Sequence, residues 1–208
     1  MNFDLLAPHY DWMETLTAGG RLQQARTTWL DELDGQRRIL SAGEGHGRFA
    51  EACATRFPNA AITCVESSKT MLARAQRRTR AIRGQFRWHC GDLLRWQPEE
   101  KFDAVVTCFF LDCFPPGILT EVVAKLAACA AEDALWIVVD FNIPPRGLRR
   151  WRARAVHALM YAFFRRVAAL PARRLTPPDE LLRAHSFVLV GRREFEWGLI
   201  RADLWRRG

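Results

Sequence analysis

The stretch ILSAGEGHGRF, Ile39–Phe49, decides the fold of this 208-residue chain. An apolar run leads into glycines at positions 43, 45 and 47, and a helical pattern follows from Arg48. Glycine adopts left-handed backbone conformations at low cost, and it lets a ligand approach the main chain closely. The unpaired N–H groups of a helix N-terminus also attract polar ligands. The stretch therefore predicts a strand, a ligand-binding turn and a helix.

The same alternation of apolar runs and helical patterns continues on both sides of this stretch. Strands that are apolar throughout and separated by helices are typical of a parallel sheet covered on both faces. The pattern predicts a doubly wound α/β fold, closed by an antiparallel pair of strands at a sheet edge. The predicted strands are 37–42, 61–65, 86–90, 102–110, 134–141, 187–194 and 197–205, and the main helices are 48–57, 69–82 and 116–130.

Length and composition predict a single globular domain. Hydrophobic residues make up 49% of the chain and charged residues 26%, which is ordinary for a folded protein. No apolar stretch reaches the roughly 18 residues of a membrane span, and the N-terminus lacks a basic signal region, so we expect a cytoplasmic protein. We divide the chain into an N-terminal helical lid (1–35), a ligand-binding core (36–141), a basic and aromatic helical segment (142–185) and a C-terminal β-hairpin (186–208).

The charge of the chain is concentrated in one segment. The formal net charge is +8, and residues 141–178 contain nine arginines without any Asp or Glu. Aromatic residues, among them Trp151, Tyr161 and Phe163, lie between these arginines. Such a patch can bind phosphate, an anionic membrane surface or an acidic substrate. It can equally be a helix face that contacts only water.

The cysteines predict neither a metal site nor a disulfide framework. None of the six forms a C-x-x-C pair, the spacing that zinc sites and redox motifs commonly use. A reduced, intracellular setting is the expectation that follows.

Acidic residues after the second and third predicted strands extend the pattern of the glycine turn. Glu66 follows Gly47 by nineteen residues, at a position where a carboxylate can accept hydrogen bonds from ribose hydroxyls. The spacing G-x-G-x-G is one residue shorter than the dinucleotide pattern G-x-G-x-x-G. Met71 can flank an adenine, and Asp92 can accept a hydrogen bond from its amino group while Leu93 packs on the ring.

With these motifs the chain resembles the class I S-adenosylmethionine-dependent methyltransferases, and among them the ubiquinone/menaquinone-type enzymes that methylate small molecules. The resemblance covers nearly the whole chain and implies a seven-stranded Rossmann-like sheet of order 3-2-1-4-5-7-6 with strand 7 antiparallel. The motifs that carry it are HYD at 9–11, the loop 43–47, VESS at 65–68, GDL at 91–93, FDAVV at 102–106, VVDF at 138–141 and LTPPDELLRAHSF at 175–187.

The resemblance also implies the cofactor, S-adenosylmethionine, and the positions that contact it. The loop glycines approach the methionine part, and Glu66 accepts hydrogen bonds from the ribose hydroxyls. Asp92 accepts a hydrogen bond from the adenine amino group, and Leu93 packs on the adenine ring. Tyr10 closes over the methionine carboxylate. The implied contacts are Tyr10, Ala42, Gly43, Glu44, Gly45, Glu66, Ser67, Met71, Gly91, Asp92, Leu93, Cys108 and Phe109.

Two positions in the loop depart from the family pattern. Ser41 stands where the family usually has an acid two residues before the first glycine. Glu44, inside the loop, is a candidate to replace the missing charge. His46 stands where a small residue is common, and we favour a packing role over a catalytic one for it.

The reaction that the resemblance implies is methyl transfer to a small hydrophobic, aromatic or lipid-like acceptor, with the methylated atom (O, C or N) undetermined. Because the methyl of a sulfonium is already activated, the enzyme mainly has to orient the acceptor, and a base is needed only for a protonated nucleophile. No single base stands out. The candidates are His9, Asp112, Asp140, His157 and Tyr161.

Other functions compete with this interpretation. An NAD-dependent oxidoreductase uses a related fold, although the loop spacing and Asp92 argue against it. The arginine-rich segment also suits a nucleic-acid-binding or RNA-methylating protein, but a single basic helix supports that function only weakly. Ser41 leaves open a methyltransferase-like protein without activity. Peripheral contact with the inner face of an anionic membrane through Arg146–Arg174 is a further hypothesis.

Overall fold

A seven-stranded sheet organises the part of the chain that the computed structural model describes, residues 20–168, 172 and 174–208. The strand order is β3-β2-β1-β4-β5-β7-β6. Strands β1 to β5 run parallel, and β7 pairs antiparallel with both β5 and β6, so the predicted order and orientation are confirmed. The strands are β1 (Arg38–Ala42), β2 (Ala61–Glu66), β3 (Gln85–Cys90), β4 (Phe102–Cys108), β5 (Ala130–Phe141), β6 (Phe187–Phe195) and β7 (Ile200–Arg207).

Helices cover both faces of the sheet. Side chains alternate across a strand, so neighbouring residues of β1 enter opposite cores. Ile39 packs in one hydrophobic cluster with residues of α1 and α2, and Leu40 packs in the other with residues of α4. The α-helices are α1 (Gly20–Arg26), α2 (Arg48–Arg56), α3 (Lys69–Thr79), α4 (Pro116–Cys129), α5 (Gly147–Ala168) and α6 (Asp179–Ala184).

Most predicted elements agree with the structure, and the differences lie at their ends. β4 ends at Cys108 because Phe109 has a left-handed backbone, with φ of 53°. β5 begins at Ala130, directly after α4, rather than at 134. The prediction that the last strand begins at Trp197 is wrong, because Glu196–Gly198 forms a short 3-10 turn in which Trp197 has φ of 61°.

The described part of the N-terminal region packs against the sheet. Leu22 and Ala25 of α1 are buried, and the Trp29 indole N–H donates to the carbonyl of Ala202 in β7 at 3.1 Å. Residues 1–19, which include His9, Tyr10 and most of the predicted lid, lie outside the described residues. Across the part of the chain that is described, no helix has both the length and the apolar character needed to cross a membrane.

The glycine turn also fixes how α2 meets α3. Gly47 precedes α2 with φ of 91°, and a Cβ added there would lie 2.6 Å from the Cα of Ala75 in α3. The two helices therefore approach closely only because residue 47 has no side chain. Gly45 has φ of 65°, and a Cβ added there meets nothing within 4 Å.

This contrast gives a matched pair of stability variants. Gly45→Ala should cost about 1–2 kcal/mol of unfolding free energy, the penalty of a left-handed backbone. Gly47→Ala should cost about 1–3 kcal/mol more, because its methyl group also overlaps the main chain of Ala75. Urea denaturation followed by circular dichroism measures both variants. Equal losses for the two would contradict the close packing at Gly47.

Candidate functional site

A cavity of about 80 Å³ opens where the carboxyl ends of β1, β2 and β4 meet. Ligands of open α/β sheets bind at this edge, where the connections diverge to opposite faces. The cavity is lined by Arg26, Ser41, Gly43, Glu44, Gly45, His46, Phe49, Glu66, Ser67, Met71, Cys108, Phe109, Phe110 and Cys113.

The loop between β1 and α2 forms one wall through its main chain. Gly43, Gly45 and Gly47 all have positive φ, between 65° and 91°, and the N–H of Gly43 donates to the carbonyl of Val65 at 2.9 Å. The loop is thereby fastened to the end of β2. The open space at the missing Cβ of Gly45 belongs to this wall.

The side chain of Glu44 turns back beneath the loop. Its carboxylate accepts hydrogen bonds from the Ser41 hydroxyl and, at 3.0 Å, from the Ala50 N–H at the start of α2. Burial raises the pKa of Glu44 to about 7, and these hydrogen bonds and the nearby Arg26 charge oppose the rise. An acidic group therefore lies beside Ser41, although position 41 itself has none.

Glu66 connects the end of β2 to the loop. Its carboxylate accepts from the Gly45 N–H at 3.0 Å and from the Ser68 N–H at 2.8 Å. Ser68 in turn caps α3, accepting from the Met71 N–H at 3.1 Å. Burial raises the pKa of Glu66, and the backbone hydrogen bonds from Ser68 and Gly45 oppose the rise. This carboxylate can accept further hydrogen bonds from a ligand in the cavity.

Aromatic and thiol side chains after β4 form the opposite wall. The strained Phe109 packs against Phe141 and lies beneath the Arg26 guanidinium, 5.0 Å from the ring centre. The ring of Phe110 lies against Gly43, where a side chain on the glycine would collide with it. The cavity thus combines a polar wall on β1 and β2 with an apolar wall on β4.

Comparison with known proteins identifies the domain that contains this cavity. A family model described as a methyltransferase domain matches residues 39–133, which hold the loop, Glu66 and the wall after β4. Residues 39–133 of this chain are therefore similar to a methyltransferase domain.

Individual relatives agree on the methyltransferase domain and differ in what they methylate. The tRNA1(Val) (adenine(37)-N6)-methyltransferase of Vibrio campbellii is 32% identical over 39% of this chain and 32% of its own length. The malonyl-[acyl-carrier protein] O-methyltransferase of Bacillus cereus is 36% identical over 34% of this chain and 25% of its own length. The chain therefore spans less than a third of these curated relatives.

The fold of the domain extends beyond the matched residues. The structure of magnesium protoporphyrin IX methyltransferase from Synechocystis PCC 6803 with bound SAH superposes with a TM-score of 0.67. The superposition covers 89% of this chain and 83% of that one, at 20% sequence identity. The sheet and its helices as a whole are thus those of a methyltransferase fold.

The methyltransferase domain brings together most, not all, of the predicted cofactor contacts. Gly43, Glu44, Gly45, Glu66, Ser67, Met71, Cys108 and Phe109 line the cavity. Ala42 is buried within β1, and Leu93 is buried in the core. Gly91 donates its N–H to the Glu66 carbonyl at 3.0 Å. Asp92 accepts from the Leu94 N–H at 2.9 Å and is exposed, so the GDL turn lies beside the cavity and not in its wall.

The cavity also contains residues that the sequence analysis did not single out. Arg26 is 5% exposed and comes four residues after Leu22, on the same buried face of α1. An arginine that shares the helical spacing of buried apolar residues such as Leu22 is the sequence signal that could have revealed Arg26. Phe49, Phe110 and Cys113 carry no comparable signal. His46 is buried and accepts a hydrogen bond from Arg48 at 2.9 Å, as expected for a packing role.

Four of the candidate bases form one cluster behind the apolar wall. Asp140 accepts from the Phe110 N–H at 3.1 Å, and its second oxygen has no N–H or hydroxyl partner and faces the Asp112 carboxyl. Burial raises the pKa of both carboxyls, and the charge of Asp112 raises that of Asp140 further. The Tyr161 hydroxyl donates to the Asp112 carbonyl at 3.0 Å.

His157 completes the cluster from α5. Its ring stands edge-on to Phe141 and Tyr161, at 5.7 and 6.3 Å between ring centres. Neither ring nitrogen has a hydrogen-bond partner among the described residues, and burial lowers the pKa of His157 to about 4. The imidazole is therefore neutral at pH 7. A second cavity of about 10 Å³, enough for about one water molecule, adjoins the two aspartates.

Glu44 makes the stability of the fold depend on pH. Because burial raises its pKa from 4.5 to about 7, the folded state binds this proton more tightly than the unfolded state. Folding therefore loses stability as the pH rises through that interval. Between pH 5 and pH 8 the parent should lose up to about 3 kcal/mol of unfolding free energy through Glu44, and Glu44→Gln should not show this loss. The unfolding free energy of the variant minus that of the parent should therefore be larger at pH 8 than at pH 5. Urea denaturation at both pH values measures this, with the exposed Glu121→Gln as the control. A constant difference would refute it.

Proposed function

We propose that the chain binds S-adenosylmethionine in this cavity and transfers its methyl group to a small acceptor. The observation that carries the proposal is the position of Glu66. Its side chain lines the cavity, and its carboxylate accepts a hydrogen bond from the N–H of Gly45 in the glycine loop. A carboxylate after β2 beside bare main chain after β1 matches the needs of an adenosyl group with two ribose hydroxyls. The methyltransferase domain at 39–133 supports the same assignment.

The charged groups of the cavity suit the methionine end of this cofactor. A methionine end carries an ammonium and a carboxylate, and the cavity offers Glu44 and Arg26 as groups of opposite charge. We assign Glu44 to the ammonium, in place of the acid that Ser41 lacks, and Arg26 to the carboxylate. Buried charges are stable when they are paired, so the bound zwitterion compensates both residues.

We assign the adenosine to the β2 side of the cavity. Ser67 and Met71 line that side next to Glu66. The GDL turn is held against Glu66 by the hydrogen bond from Gly91, and from there Asp92 is proposed to accept from the adenine amino group, with Leu93 next to it. Tyr10, outside the described residues, keeps its predicted role over the methionine carboxylate.

The acceptor that we propose is small and hydrophobic, aromatic or lipid-like. Phe109, Phe110 and Cys113 give the cavity an apolar wall opposite the polar loop. S-adenosylmethionine supplies a methyl group that is already activated by its sulfonium. The chain then has to orient the acceptor, and orientation alone contributes several kcal/mol to catalysis.

For an acceptor that must lose a proton, we propose the Asp112–Asp140 pair as the proton acceptor. Cys113 and Phe110 line the cavity, and the pair lies directly behind them: the Cys113 thiol is 3.6 Å from the Asp112 carboxylate, and the Phe110 N–H donates to Asp140. One carboxylate would take the proton that the acceptor loses. The acceptor atom would gain the methyl group as the bond between the methyl carbon and the sulfonium sulfur breaks, leaving S-adenosylhomocysteine. Tyr161 positions Asp112 through its main chain, and His157, which is neutral, stays a weaker candidate.

RNA methylation is the second candidate function, supported by the tRNA methyltransferase relatives and the arginine-rich segment. Those relatives match 39% of this chain at most, so they support the methyltransferase domain more than the acceptor. The NAD-dependent alternative loses support, because the matching family model is that of a methyltransferase.

Calorimetry with S-adenosylhomocysteine tests the cofactor assignment. The parent chain should bind it, and Glu66→Gln should bind at least about tenfold more weakly, because a hydrogen bond to a charged group contributes about 1.5–3 kcal/mol. The exposed Glu99→Gln is the control, and NAD is the competing ligand. Absence of heat from folded parent protein, or equal affinity of Glu66→Gln, would refute the assignment.

Labelled S-adenosylmethionine and an extract of the source organism test the proton acceptor. Asp112→Asn and Asp140→Asn should each lower the yield of labelled product about a hundredfold, within the usual contribution of a general base. Binding of S-adenosylhomocysteine should not change. Glu132→Gln, at the exposed start of β5, is the control. Full activity of both Asn variants would restrict the pair to a structural role, and label in RNA would favour the second candidate.

A further inference from the structure

Helix α5 presents an apolar stripe to solvent. Leu148, Trp151, Ala155, Leu159 and Phe163 recur every three or four residues, which places them on one side of a helix. Leu148 is 86% exposed, Trp151 70% and Leu159 75%. Side chains of this size are ordinarily buried, and a contiguous exposed row of them marks an interaction surface.

The opposite side of α5 is the one that packs on the protein. Ala153, His157 and Tyr161, also spaced four residues apart, are all buried. The orientation of the helix is therefore fixed by a separate inner face, and the outer stripe is not needed to hold it in place. At 1.5 Å per residue the helix is about 33 Å long, so the stripe forms an extended band.

Arginines flank the stripe on both sides, and Arg152 and Arg166 fall within it. At about 100° per residue, Arg149 falls on one side of it, and Arg154 and Arg165 fall on the other. All of the described arginines in α5 are exposed. Among the residues that the structure describes, none of them forms a salt bridge, and positions 142–178 contain no acidic residue at all. The band therefore carries a net positive charge that no acidic side chain in the described part of the chain neutralises.

Trp197 extends the same surface from a second element. It is 70% exposed on the 3-10 turn between β6 and β7, and the Arg152 guanidinium lies 5.7 Å from its ring centre. Arg152 also donates to the Glu196 carbonyl at 3.2 Å, which joins α5 to that turn. Tryptophan and arginine together are typical of residues at the boundary of a lipid bilayer.

We propose that the outer face of α5, together with Trp197, binds the surface of an anionic lipid bilayer. The leucine, tryptophan and phenylalanine side chains enter the boundary between headgroups and acyl chains, and the flanking arginines contact lipid phosphates. The phosphates of a nucleic acid would pair with the arginines, but they would not bury the exposed Leu148 and Leu159. A lipid surface provides both phosphates and an apolar layer, so it explains both kinds of residue on this face. This proposal does not depend on the methyltransferase activity, and its test needs no cofactor.

Co-sedimentation with vesicles tests the proposal. The parent chain should bind vesicles that contain phosphatidylglycerol and should bind pure phosphatidylcholine vesicles much more weakly. Leu148→Ser combined with Leu159→Ser should weaken binding at least about tenfold, because both leucines lose buried apolar area. Arg149→Gln combined with Arg154→Gln should weaken it by a similar factor, because each basic residue near an anionic surface contributes.

The matched control is Val188→Ser combined with Val190→Ser, two exposed residues of the edge strand β6. It should bind like the parent chain, and thermal unfolding should show that every variant is folded. Vesicle binding should raise and blue-shift tryptophan emission, and Trp151→Ser should reduce this change. Three results would overturn the proposal: no binding of the parent chain to anionic vesicles, binding of the leucine variant as tight as that of the parent chain, or tighter binding of the chain to tRNA than to vesicles.

Discussion

The carboxylate of Glu66 is the interaction on which the site depends. A buried carboxylate is stable only with hydrogen-bond donors, and here the donors are main-chain N–H groups on both sides, from Gly45 and Ser68. The Glu66 carbonyl in turn accepts from Gly91. One residue therefore connects the turns that follow β1, β2 and β3, and it fixes their spacing before any ligand binds. Such preorganisation reduces the entropy that binding costs.

The loop places an acidic group next to a neutral position of β1. Ser41 is neutral, but its hydroxyl donates to Glu44, three residues further along the chain, whose carboxylate returns to the same place. Strand geometry fixes a side chain at position 41, whereas the glycine loop gives Glu44 the freedom to turn back. Arg26 of α1 lines the same cavity, and its positive charge opposes the rise in the pKa of Glu44.

The sequence was sufficient for the sheet and for much of the cavity, because local patterns determine both. Apolar runs and the glycine spacing predicted the strands around Ile39, and Glu66 was found from its distance to Gly47. Phe110 was missed because its place in the wall depends on tertiary packing, whereas Arg26 was missed although it shares the helical spacing of the buried Leu22. Asp112 lies on the 3-10 turn Leu111–Cys113 and Asp140 near the end of β5, and their clustering also depends on elements that meet only in the folded sheet. The backbone of Trp197 is left-handed, which its side chain gives no reason to expect.

The antiparallel β7, inserted between β5 and β6, has a consequence for how this protein can change. The chain leaves the sheet after Phe141 and returns at Phe187, on the far side of β7, and the described residues of the intervening excursion contribute no strand to the sheet. Changes at its exposed positions therefore leave every strand pairing intact, whereas its buried residues, Tyr161 and Leu182 among them, pack on the rest of the fold. Variation on the outer surface of this excursion is thus decoupled from the register of the sheet.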